Sequence, residues 1–354
     1  MPLADAASYP LWANLLIFLA AAGIIWFAGA RLTKALDAVA AKTGMERVFV
    51  GMLLLGGITS LPEVANVTTA SSIGNPSLAV NNLLGSAAIN ILLLAIADAI
   101  VGRQAVTSIV AKPSTMMMAA LCMIVLISIA TLVLVGDVML GPLGVGSLGI
   151  GIASLGFFWL ATGYDERAAW SVEKSEGADG EEDADVSGAS VGTLWGRVAF
   201  YGALLFASGY ALSQTGDALA QQLGLTSAIV GFALIGTATS LPELVTVIVA
   251  LRLGRPEMAF GQVLGTNFIN LALLPLSDLI FDGEPVMNTL GTFEAVSALL
   301  GAILIGVFMV GLLEHRNRTI FKMGIDSAVV IALFAVGGAL LAGIPAADAP
   351  ARAE

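Results

Sequence analysis

The sequence has one cysteine and one histidine in 354 residues. Cys122 has no second thiol to pair with, so intrachain disulfides and thiolate metal clusters are excluded. His315 alone cannot build a histidine-based zinc site. Charge is scarce as well: Asp, Glu, Lys and Arg make up 12% of the chain, about half the share of a soluble domain. The 15 basic residues are outnumbered by 26 acids, which argues against nucleic acid as a partner. The opening "MPLADAASYP" lacks the basic start of a signal peptide, so the first apolar run reads as a retained span.

Hydrocarbon fills the chain instead. Hydrophobic residues make up 58% of it and the mean hydropathy is +0.93. Runs long enough to cross an apolar layer of about 30 Å recur from end to end, so the fold class is an all-α polytopic membrane protein. With Gly, Pro and charge as punctuation, ten spans are predicted: 11–33, 47–73, 76–100, 114–135, 141–162, 194–221, 226–252, 257–281, 291–313 and 322–344. Residues 163–193 form an acidic linker that carries −7 of the net charge of −11. It separates a first five-helix unit, residues 1–162, from a second, residues 194–354. Placing the N-terminus outside puts fourteen of the fifteen Lys and Arg residues on the cytoplasmic side. Both termini are then external and the linker cytoplasmic, in a plasma or inner membrane.

Inside the second span, "GMLLLGGITSLPE" at 51–63 has a twin, "GFALIGTATSLPE" at 231–243. The offset of 180 residues continues without a gap: "GNPSLAVNNLLGSAAIN" at 74–90 faces "GRPEMAFGQVLGTNFIN" at 254–270, and Asp98 faces Asp278. About twenty of fifty positions are identical across 51–100 and 231–280. Five spans, an odd number, separate the copies, which therefore cross the bilayer in opposite directions. Inverted repeats with interrupted helices point to a secondary transporter with its site at the midplane.

A proline and a glutamate inside a span are both costly, about 3 kcal/mol for each. The proline has a use. Pro62 cannot donate to the carbonyl of Ile58, nor Pro242 to that of Ala238, which would make carbonyls near Gly56, Thr59, Gly236 and Thr239 available as ligands. Glu63 and Glu243 stand beside them, each three residues after a serine, Ser60 or Ser240, on one helix face. Ser86 with Asn90, and Thr266 with Asn270, share a face of the following span. Gly85 and Gly265 would permit close backbone approach or a helix break there. Such an all-oxygen set, with two carboxylates, suits a hard cation such as calcium. The bland readings are a structural kink for each proline, interhelical hydrogen bonds for Asn90 and Asn270, and back-bonding for the hydroxyls. Asp98 and Asp278 read as interfacial residues outside the ligand set, Asp137, Asp217 and Glu284 as solvated boundary residues.

"GGITSLPE" with "LLGSAAIN", and "GTATSLPE" with "VLGTNFIN", resemble the paired alpha repeats of the sodium/calcium exchanger family within the calcium:cation antiporters. The likeness covers the ten-span plan, the central linker and both signatures. It implies an alternating-access antiporter that exchanges calcium for sodium, with no cofactor beyond the transported ions and a monomer as the working unit. By motif position it implies acidic ligands at Glu63 and Glu243, hydroxyls at Ser60, Ser240, Ser86 and Thr266, an amide at Asn90, and backbone oxygens at Gly56, Thr59, Gly236 and Thr239. It also implies that residues 11–33 and 194–221 slide as a pair over a rigid core. The sequence departs from the family at Asn270, where many members have Asp, and at Asn81-Asn82, Gly261-Gln262 and Ala87. These departures keep a calcium/proton or potassium-dependent exchanger in view on the same fold. A passive channel would need a continuous ring of ligands. A calcium-binding scaffold acting through the linker would need a D-x-D-x-D-G loop, which the linker lacks.

Overall fold

The computed structural model describes residues 5–43, 56–102, 104–110, 112–161, 190–252 and 256–344, together with residues 3, 54 and 164. Residues 165–189 of the acidic linker lie outside them, as do the basic residues Arg47, Arg103, Arg167, Lys174, Arg255 and Arg352.

The first half runs α1 (Leu11–Thr43), α2 (Gly56–Thr59), α3 (Leu61–Ser72), α4 (Pro76–Val101), α5 (Pro113–Val135), a hairpin of β1 (Met139–Leu140) and β2 (Leu143–Gly144), and α6 (Val145–Ala161). The second half repeats the order: α7 (Val191–Leu223), a wide helical stretch over Val230–Ile235, α8 (Gly236–Thr239), α9 (Leu241–Arg252), α10 (Pro256–Leu271), α11 (Leu274–Ile280), α12 (Thr292–Glu314), a hairpin of β3 (Thr319–Ile320) and β4 (Met323–Gly324), and α13 (Ile325–Ala342).

Local chemistry sets the helix ends. Pro76 and Pro113 open α4 and α5 at a position where the missing amide is no loss. Asn75 caps α4 by accepting a bond from the Leu78 amide, and Ser190 caps α7 by accepting from that of Thr193. Gly102 and Gly224 end the same two helices in the left-handed conformation, φ 59° and 64°.

Among the described residues, six helices are long and apolar enough to cross a bilayer, or seven when the pair bent by 44° on either side of Ser240 is taken as one span. This is an all-α polytopic membrane fold. Of the other predicted spans, 47–73 begins outside the described residues, α6 is shorter, and α7 carries Arg197, Gln214, Asp217, Gln221 and Gln222. Helix α4 is central, in contact with α3, α9, α10, α12 and α13, while α1 and α7 pack together and against α9 and α3. Large apolar side chains left exposed, such as Trp12, Phe27, Trp159, Phe200 and Leu340, lie on the outer helices.

The structure refines three expectations. The predicted span 257–281 is met by one candidate span over Ala259–Ile280, built of α10 and α11 with a break at Ala272 and Leu273. Pro275 has no amide to give to the carbonyl of Leu271, so the ladder cannot continue. Gly85 and Gly265 lie inside uninterrupted α4 and α10, so of the two readings the helix break falls and close approach holds at Gly85, where a Cβ would overlap the backbone of Phe232. Asp98 and Asp278 are buried, not interfacial, at 2% and 5% exposure.

Those two aspartates bind the halves together. Asp98 accepts bonds from the Val106 amide (3.1 Å), and from the Gly324 amide and Ser327 hydroxyl of the second half (2.7 Å each). Asp278 accepts from the Val286 amide (2.6 Å), the Gly144 amide of the first half (3.0 Å) and the Ser147 hydroxyl. Each half therefore holds the hairpin and last helix of the other. Asp137 is also engaged rather than merely solvated, accepting from the amides of Val138, Gly146 and Ser147.

Candidate cation site

Each signature forms a helix break of the same shape. Ser60 separates α2 from α3 with φ −79° and ψ 1°, and Ser240 separates α8 from α9 with φ −85° and ψ 4°. Pro62 and Pro242 follow at the second position of the new helix, where a proline is tolerated. Glu63 and Glu243 then sit in the first turns of α3 and α9, where the unpaired amides and the helix dipole favour negative charge. Both are fully buried, and their charges lie within reach of one another.

The copies interlock around this pair. A Cβ on Gly56 would lie 3.3 Å from Thr266 Oγ1, and one on Gly236 would lie 3.2 Å from the Ser86 amide nitrogen. Each break is thus pressed against the hydroxyl position of the other copy's following helix. Thr59 stands beside Glu243 and Thr239 beside Glu63, so the threonines also cross over. Outside the breaks, Gly29 of α1 lies on Pro242 and Gly209 of α7 lies on Pro62, with an added Cβ 2.6 Å from proline carbon in both cases.

Among the expected residues, Ser86 donates to Glu63 Oε1 (3.3 Å) and lies 3.3 Å from the Thr239 hydroxyl, which donates to Asn82 Oδ1 at 3.2 Å. Ser60 bonds back to the Gly56 carbonyl (2.9 Å). That carbonyl also accepts from the Ser60 amide and the Thr59 hydroxyl, and the Gly236 carbonyl accepts from the Ser240 amide and the Thr239 hydroxyl. These two oxygens are occupied within their own turns rather than freed by the prolines. Asn90 donates to Asn267 Oδ1 (3.0 Å), whose own amide donates to the Ala87 carbonyl (3.2 Å). Gln262 donates to Thr246, and both side-chain atoms of Asn66 lack a partner among the described residues.

A set of buried oxygens is left over. Glu63 Oε2, both oxygens of Glu243, the hydroxyls of Ser240 and Thr266, Asn90 Oδ1 and the whole amide of Asn270 have no hydrogen-bond partner among the described residues. Each such group costs about 1–3 kcal/mol, and more when charged. Three other buried acids behave differently: Asp98, Asp278 and Glu294 each accept three bonds. A purely structural role therefore does not account for Glu63 and Glu243. Among the described residues no group of three or more His, Cys, Asp or Glu side chains comes together. The donor set is two carboxylates with neutral oxygens, which suits a hard cation and not a soft one.

Two participants escape sequence reasoning. Asn267 replaces Ala87 at the matching position, a difference visible in the repeat but not weighed as a contact. Glu294 lies in the ninth predicted span and has Ser114 as its counterpart, so the repeat gave it no support.

The sodium/calcium exchanger protein family matches this chain over residues 13–164 and 193–342. An inner membrane protein of Escherichia coli strain K12, YrbG, is 28% identical over 268 residues, covering 74% of this chain and 78% of that protein. The fold is similar to that of the sodium-calcium exchanger NCX_Mj, with TM-score 0.62 and 17% identity over 93% of this chain and 99% of the other. It is equally similar to that of the H+/Ca2+ exchanger CAX, with TM-score 0.65 and 15% identity over 96% and 87%.

Proposed function

The chain belongs to the sodium/calcium exchanger protein family, and we propose that it is a secondary antiporter exchanging calcium for sodium by alternating access. The observation that carries this reading is the pair Glu63 and Glu243, buried with three of four carboxylate oxygens unpartnered while other buried acids are fully bonded. Calcium is bound by both carboxylates together with Ser60, Ser86, Ser240, Thr266, Asn90 and Asn270, and the Thr59 and Thr239 hydroxyls add to the cage. Gly56 and Gly236 bring the breaks close to the facing helices, and their carbonyls join the ligand set only if the turn bonds are exchanged. Sodium ions occupy overlapping positions and exclude calcium. The unloaded site keeps two negative charges, which resist passage through a low-dielectric barrier, so exchange is favoured over leak.

The architecture we propose has ten spans in two inverted five-helix units, residues 1–162 and 194–354, with both termini outside and the 163–193 linker cytoplasmic. It sits in the cell membrane and works as a monomer. Helices α1 and α7 slide over the frame, with Gly29 and Gly209 as the contact points on Pro242 and Pro62.

Proton coupling is the second reading, and Asn270 favours it: the site carries one carboxylate fewer than a set with Asp there, which weakens binding of several sodium ions. Calcium-45 uptake into proteoliposomes under separately imposed sodium, potassium and pH gradients tests both. Uptake driven by an outward sodium gradient, and lost in Glu63→Gln or Glu243→Gln, supports sodium exchange. Uptake driven by the pH gradient alone replaces it with proton exchange, and normal uptake in both variants removes the proposed site.

A further inference from the structure

We propose that Asn66 and Asn82 extend the cation site by one helical turn in the first half only, holding water that a partly hydrated cation keeps when it binds at Glu63; this rests on the exchange reading above. Asn66 lies three residues after Glu63 on α3, and Asn82 four before Ser86 on α4. These spacings put each asparagine on the face of its helix that carries the site. Asn82 is tied to that face directly. Its Oδ1 accepts from Thr239 (3.2 Å), whose hydroxyl lies 3.3 Å from that of Ser86, and Ser86 donates to Glu63 Oε1. Both asparagines are fully buried. Asn66 Oδ1 and Nδ2, Asn82 Nδ2 and Glu63 Oε2 have no hydrogen-bond partner among the described residues.

The second half shows what packing alone does with these positions. At the offset of 180 residues Asn66 is matched by Thr246 and Asn82 by Gln262. There the Gln262 amide donates to the Thr246 hydroxyl, which itself donates to the Pro242 and Glu243 carbonyls of its own helix. The glutamine thus ties α10 to α9. Asn66 and Asn82 stand at the same two places on the packed pair α3 and α4, and no bond joins them. An interhelical bond therefore accounts for Thr246 and Gln262 but not for Asn66. The four unpartnered atoms are of two kinds: Asn66 Oδ1 and Glu63 Oε2 accept, whereas the two Nδ2 groups donate. A bare cation serves only the acceptors. Water carried on a cation serves both, giving its hydrogens to the oxygens and its free lone pair to an Nδ2 group. Calcium, with six to eight oxygen ligands, accommodates such water.

The test is calcium binding to the purified full-length protein in detergent, read as the rise in unfolding temperature, which follows affinity by mass action. Asn66→Leu is close in volume and removes both polar atoms. The calcium-free variant should unfold no lower than the native protein, because no protein bond is lost. Its calcium affinity should fall about tenfold, or about 1.4 kcal/mol, since the bound water loses its partners. Thr246→Val is the counterpart: it strands the Gln262 amide, so the calcium-free protein should unfold lower while calcium affinity stays unchanged. Native affinity in Asn66→Leu, an equal loss in Thr246→Val, or a calcium-free Asn66→Leu that unfolds well below the native protein overturns the proposal. The native protein gives a second readout that depends on no variant: crystals grown with calcium should show ordered water joining the ion to Asn66 and Asn82. Amides bonded to protein atoms alone overturn it. A calcium response that is missing from the native protein, or that persists in Glu63→Gln, strikes the central site instead, so the two failures are distinguishable.

Discussion

In the first half α4 runs unbroken from Pro76 to Val101; in the second the matching stretch stops at Leu271 and resumes at Leu274. One substitution accounts for it, Ala95 against Pro275. Other differences fall at polar positions of the repeat. Asn66 and Asn82 face Thr246 and Gln262, Ala87 faces Asn267, Asn81 faces Gly261, and Ser114 faces Glu294. The latches, by contrast, match atom for atom. Asp98 and Asp278 each receive an amide from a following turn, an amide from the opposite hairpin and a serine hydroxyl from the last helix beyond it. The glycine-on-proline contacts of α1 and α7 match as well. Two-fold likeness is kept where the halves must carry load equally. It is relaxed at these polar positions.

This division can be broken by measurement. The largest effect on stability is expected at the latches: Asp98→Ala and Asp278→Ala each strand three donors and should destabilise by about 3 kcal/mol or more, equally in both halves. Thermal unfolding in detergent checks this, and a clear inequality between the two variants would mean that the frame is not symmetric. Next come Gly29→Ala and Gly209→Ala, whose added methyl groups press on Pro242 and Pro62. Overpacking of about 1–3 kcal/mol should slow exchange roughly tenfold in each while leaving equilibrium calcium binding near normal. A smaller and unequal effect is expected at the amides. Asn270→Asp adds a charge where no partner is displaced, and calcium affinity should rise several-fold, as a closer opposite charge in a poorly screened site requires. Asn90→Asp loses the bond to Asn267 and sets a carboxylate against its oxygen, so it should gain less and lower the unfolding temperature. Least of all, deletion of residues 170–188 should leave gradient-driven flux unchanged.

How much of this was legible in the sequence varies by element. The breaks at Ser60 and Ser240 could be read because a proline next to a buried glutamate is expensive and occurs twice in register. The interlocking of Gly56 with Thr266 and of Gly236 with Ser86 could not, since nothing local says which copy a helix will face. The kink at Pro275 was visible as a residue but hidden by an apolar run of full span length. Asp98 and Asp278 were read as interfacial because they fall near span ends; their burial depends on hairpins contributed by the other half. Glu294 has Ser114 at the matching position, so nothing in the repeat marks it. Its bonds to Ser77 and Asn81 come from helix α12 packing on α4, which periodicity does not specify.

The central claim is that two carboxylates from oppositely oriented copies bind one and the same cation. Equilibrium calcium-45 binding to purified protein carrying Glu63→Gln, Glu243→Gln or both tests it directly. Residues sharing one ligand are coupled and their effects are not additive, so each single substitution should lose as much affinity as the double. Independent losses that add in the double variant, or full affinity in either single one, would contradict the account.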